Sequence, residues 1–83
     1  MTEEDKIILG HEARQILGSK LVRDAFAAIE KDAIEKLIAS APDDDMIRYR
    51  LAERIKVIRE VKDFLTSTTI TAQQAANKLG MEF

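Results

Sequence analysis

Apolar residues recur at steps of three and four along most of this 83-residue chain, the spacing of helices with one buried side. From Lys20 to about Ser40 the stripe is Leu21, Val22, Ala25, Phe26, Ile29, Ala33 and Leu37, with a smaller patch of Ala27, Ile34 and Ile38 beside it. From about 45 to 66, Ile47, Leu51, Ile55, Ile58 and Leu65 fall on one line and Met46, Val57, Val61 and Phe64 next to it. Together these cover close to half of the helix circumference. A shorter segment, about 3–17, places Ile7, Ile8, Leu9, Ala13, Ile16 and Leu17 mostly on one side, with Gly10 as a weak interior point.

Polar residues punctuate the pattern. Thr2 followed by Glu3, Glu4 and Asp5 has the form of an N-cap with first-turn carboxylates, which satisfy free N–H groups and offset the positive helix end. Gly18 is placed to close the first helix and Ser19 to cap the second. Pro42 within Ala41-Pro42-Asp43-Asp44-Asp45 cannot continue a helix, and the aspartates suit a turn and a new N-cap. Ser67-Thr68-Thr69-Ile70 is a poor helix continuation, while Thr71 and Gln74 have capping-box spacing. The expected fold is therefore all-α and a single domain, 1–83. A long antiparallel helical hairpin, about 20–66, would be flanked by short helices at about 3–17 and 72–79, the last ending at Gly80.

Composition narrows the function classes. Apolar residues make up 46% and charged ones 34%, the balance of a folded chain. Zero cysteines exclude disulfides and thiolate zinc sites. Three glycines and one proline are too few for the turns of an all-β fold. A chain of this size buries only about 60–65% of its unfolded surface, leaving little room for an enclosed active site. The net charge of −2 and pI near 5.4 argue against a general nucleic-acid or anionic-membrane binder. No stretch reaches the roughly 18 apolar residues of a membrane span, and MTEEDK is acidic where a signal peptide would be basic. The expected compartment is a cytoplasm.

Reactive constellations are absent from the sequence. His11 is the single histidine, read as a solvated or edge residue, and the Asp43–Asp45 run reads as capping rather than cation binding. No nucleophile has a base partner and no glycine-rich loop cradles phosphate, so neither enzymatic activity nor a cofactor is expected. Residues 46–62 carry six basic side chains against two acids. Of these, Arg48, Lys56, Arg59 and Lys62 fall on the polar arc, where they could touch phosphate or an acidic protein. The simpler reading is a face balanced by neighbours on the preceding helix, and nucleic-acid binding is not favoured. Arg50 and Arg54 project within the apolar arc. With the turn centred near 42 and 43, Glu35 is the expected partner of Arg50, and Glu30 that of Arg54.

The apolar arc of the second long helix is wider than one antiparallel neighbour can cover. Met46, Ile47, Leu51, Val57, Ile58, Val61, Phe64 and Leu65, with Leu79, Met81 and Phe83 of the tail, are the expected interface residues. Residues 70–81 also resemble the first helix and turn of a helix-turn-helix. The chain given stops before a recognition helix, so a capped docking helix is the preferred reading.

Residues 16–30 (Ile16-Leu17-Gly18-Ser19-Lys20-Leu21-Val22-Arg23-Asp24-Ala25-Phe26-Ala27-Ala28-Ile29-Glu30), the Ala41–Asp45 turn and residues 51–65 (Leu51 to Leu65, with Arg59-Glu60-Val61-Lys62) carry a resemblance. They look like small helical-hairpin proteins encoded among the packaging, portal and capsid genes of tailed phages and prophages. The resemblance implies a non-enzymatic virion or morphogenesis component, present in the host cytoplasm during assembly and in the virion. Its partner would be a second copy or a capsid, portal or tail protein. A small inhibitor of a host enzyme is the alternative, and a DNA-binding accessory of packaging the second alternative.

Overall fold

The computed structural model describes every residue from Met1 to Phe83. It contains three helices and no strand: α1 (Glu3–Gly18), α2 (Lys20–Ala39) and α3 (Asp45–Lys78). The all-helical class read from the apolar spacing is the observed one.

Local hydrogen bonds explain where the helices begin. Thr2 Oγ1 accepts from the Asp5 N–H at 3.1 Å, and the Asp5 carboxylate accepts from the Thr2 N–H at 3.1 Å, a closed capping box. The Thr2 backbone bond, helped by the Thr2 hydroxyl, holds the Asp5 carboxyl below its ordinary range. Ser19 alone separates α1 from α2. Its N–H donates to the Ile16 carbonyl at 3.1 Å, closing α1, and its hydroxyl accepts from the Val22 N–H at 3.3 Å, opening α2. Gly18, expected to close the first helix from just beyond it, stays helical because Ser19 performs both caps in extended geometry, φ −70° and ψ 121°. Asp44 caps α3 by accepting from the Ile47 N–H at 3.3 Å, the role assigned to that acidic run.

The separate helix expected at 72–79 does not exist. α3 runs unbroken through 34 residues, about 51 Å. Thr68 and Thr69 donate their hydroxyl protons to the carbonyls of Phe64 and Leu65, at 2.8 and 3.2 Å, four residues back. Their polar atoms are thus satisfied inside the helix, and Thr71 has no N-terminus to cap. The helix ends where Gly80 takes φ 68°, with the Met81 N–H on the Ala76 carbonyl at 2.8 Å and the Gly80 N–H on that of Asn77 at 3.2 Å, a Schellman closure.

The packing also differs from a hairpin with short flanks. α1 makes a more extensive contact with α3 than α2 does. Eight residues are buried, and six of them (Ile7, Gly10, Ala13, Ala72, Ala75 and Ala76) belong to α1 and the C-terminal half of α3. The other two are Ala33 and Leu51. Gly10, read as a weak point, is a point of closest approach: a methyl group there would overlap that of Ala72 and lie 3.0 Å from the Phe83 ring. Asp32 reaches Arg54, while Glu30 reaches Arg59 and Lys62. Falling numbers on α2 meet rising ones on α3, so these two helices run antiparallel.

The molecule measures 56 × 23 × 14 Å. A thickness near that of one helix with its side chains, about 10–12 Å, means a single layer of helices with two broad faces. The radius of gyration is 17.2 Å, against about 12 Å for a compact chain of this length. No helix is long and apolar enough to cross a membrane.

Candidate functional site

A one-layer arrangement divides each helix into a seam that meets its neighbour and flanks that meet solvent. On α3 the seam takes Leu51, which is buried, and Ile58 and Leu65, which are half-buried. These three expected interface residues are instead largely consumed by the chain's own packing. Val57, Val61 and Phe64 form the adjoining stripe at spacings of four and three, and remain 51%, 40% and 71% exposed. Met46 and Ile47 extend the apolar surface toward the turn, and both are exposed.

α1 continues this face across the seam. Leu9, Glu12, Ala13 and Ile16 line an open groove with Phe64, Leu65 and Thr68. A neighbouring groove joins Met1, Lys6 and Leu9 to Phe64, Ser67, Thr68 and Thr71. On α2, Leu21 and Ile29 are exposed, and Ile29 lies one turn from Asp32, on the flank that reaches Arg54. Leu9, Ile16, Leu21 and Ile29 are absent from the interface expected on sequence grounds. Their identity was plain in the sequence, but their side of the layer depends on how α1 and α2 are rotated against α3. Sixteen large hydrophobic residues are exposed and no large side chain is fully buried. The accessible surface is 6079 Å², against roughly 5,000 Å² for a compact monomer of this mass.

The tail is partly spent. Leu79 and Met81 stay exposed, but Phe83 folds back over α1. Its ring lies 4.7 Å from that of His11 and 3.8 Å below the Arg14 guanidinium, which also donates to the Phe83 backbone oxygen at 2.8 Å. Phe83 therefore covers the Gly10 contact instead of standing free as an interface residue. No sequence motif signals this latch, which joins residues sixty-nine apart.

The basic polar arc is largely engaged within the chain. Arg48 donates to Ser40 Oγ at 2.8 Å and to the Leu37 carbonyl at 3.3 Å, closing the end of α2. Arg59 and Lys62 both bind Glu30, at 2.7 and 3.2 Å. Arg59, and secondarily Lys62, hold the Glu30 carboxyl below its ordinary range. Only Lys56 of the four has no such contact. The expected Arg50–Glu35 and Arg54–Glu30 pairs do not form. Glu30 lies on the opposite flank of the seam from Arg54, at the level of Arg59 and Lys62. Arg54 stands 4.0 Å from Asp32, Glu35 is 3.9 Å from Lys31 on its own helix, and Arg50 has no ion pair. Tyr49 is exposed.

No family model matches this chain, and neither a curated protein nor a solved structure matches it.

Proposed function

We propose that this chain is a non-enzymatic helical interaction protein that works by packing the apolar face of its helical layer against a partner. The observation that carries the reading is the band of Leu9, Ile16, Val57, Val61 and Phe64, exposed along a layer one helix thick. Contiguous apolar surface of this kind on a folded chain marks an interface. The flat, open grooves suit another helix better than a small molecule, which favours concave sites. α2 and α3 then act as the hairpin of the interaction unit, with α1 extending its face.

Within that reading, the resemblance over residues 16–70 supports assignment to phage morphogenesis, in the host cytoplasm and the particle, with a capsid, portal or tail protein or a second copy as partner. An inhibitor of one host enzyme would use the same face. The internal engagement of Arg48, Arg59 and Lys62 weighs against nucleic acid as the partner. Phe64→Asp should leave helicity unchanged, since the ring is 71% exposed, and should abolish co-purification with the partner. Recovery with virions would favour the particle component, and recovery with one host protein the inhibitor. Undiminished recovery of the variant would remove the face from the function.

A further inference from the structure

Building on the interaction reading, we infer that the occupant of this face is a second copy of the chain, packed antiparallel about a two-fold axis near Val57 and Val61.

The arrangement of the face is self-complementary. Its middle is apolar: Val57, Val61 and Phe64 on α3, with Ile29 on α2 and Ile16 on α1. Its two ends carry unlike charge. Toward the turn, Arg50 shares the stripe of Val57 and Phe64, seven and fourteen residues on, and has no acidic partner in its own chain. Toward the α1 end, Glu12 lines the groove of Leu9, Ile16 and Phe64 and has no basic partner in its own chain. Other charges on or beside this face are paired within the chain, Arg54 with Asp32 and Lys6 with Glu3. An antiparallel copy sets the Arg50 end of one chain against the Glu12 end of the other, and the two-fold repeats that meeting, as an isologous contact requires. A parallel copy would stack like charge on like at both ends.

The area agrees. The chain exposes about 1,000 Å² more than a compact monomer of its mass, and a standard specific interface removes about 800 Å² from each partner. A face 56 Å long and 23 Å wide accommodates that area. Two layers stacked in this way give each apolar stripe a second neighbour and form an interior that neither layer has alone.

Sedimentation equilibrium of the full chain between about 1 and 100 µM tests the inference, with circular dichroism to verify folding of each variant. A dimer is expected. Arg50→Glu and Glu12→Arg should each weaken it roughly tenfold, because the two-fold counts each substitution twice, and the double variant should recover to within about threefold of the original. Val57→Asp should give a folded monomer. A chain that stays monomeric to about 100 µM, a dimer indifferent to Val57→Asp, or charge reversals without mutual rescue would each overturn the arrangement. A monomer that still captures virions in a Phe64-dependent manner would leave the interaction reading standing without self-pairing. A monomer that captures nothing would end both.

Discussion

The two ends of this molecule hold together by different means. At the α1 end, small residues bring helices close: Gly10 meets Ala72, and Ile7 packs on Ala75 and Ala76 with the Phe83 ring against them. At the turn end the seam residues are larger, Phe26, Leu37, Ile55 and Ile58 among them, yet only Ala33 and Leu51 are buried. There the contact is supplemented by ion pairs across the seam, Glu30 with Arg59 and Lys62 and Asp32 with Arg54. Tight fit requires particular small residues at particular positions, whereas the looser seam tolerates change but leaves its apolar stripes half-exposed. The stable end thus anchors α3, and the looser end stands to gain most from a partner.

The largest effect should come from overfilling the tight end. Gly10→Leu places a side chain where the Ala72 methyl already sits, and should cost about 3 kcal/mol in urea unfolding. The same assay on Leu51→Ala, in the loose seam, should show about 2 kcal/mol, near the low end for a buried leucine because its half-exposed neighbours can relax. Equal costs at both sites, or a harmless Gly10→Leu, would show that the two ends do not differ as described. A smaller change of opposite sign is expected at Gly18, which is helical with open space around it. Gly18→Ala should stabilise by about 0.4–1 kcal/mol, a reversal of the glycine effect within one helix.

The smallest expected effect is a pH dependence at the turn end. Because the folded protein holds the Glu30 carboxyl below its ordinary range, its contribution is full at neutral pH and is lost as the pH falls through the folded value. Thermal melts between neutral pH and pH about 3 should lose part of their acid sensitivity in Glu30→Gln. An unchanged slope would show that the pairs with Arg59 and Lys62 are not formed in solution.

What was legible in the sequence was whatever a residue and its near neighbours decide. Thr2 and Ser19 cap the helices that the sequence assigns them, and the Asp43–Asp45 run supplies the third cap through Asp44. The failures lie where distant segments decide. The 67–71 stretch has the composition of a break, but the threonine hydroxyls have carbonyls within reach four residues back. The alanines beyond it read as a separate short helix until α1 is laid against them. Gly10 reads as a local defect because its reason is Ala72. Level along the hairpin alone pairs Glu30 with Arg54. The flank on which each side chain emerges, set by the rotation of two helices, sent it instead to Arg59 and Lys62.

A junction of one residue has a geometric consequence of its own. Since Ser19 alone joins α1 to α2, the rotational phase of one helix is geared to that of the other, with no slack loop to absorb a mismatch. Inserting a single residue at this point would turn α1 by about 100° relative to α2. α1 would then lose its Gly10 seam and the alignment of Leu9 and Ile16 with Phe64 together, unless the junction itself distorted to restore them. The loop between α2 and α3 has several residues over which to spread a change of length, but at position 19 length is a tuning parameter.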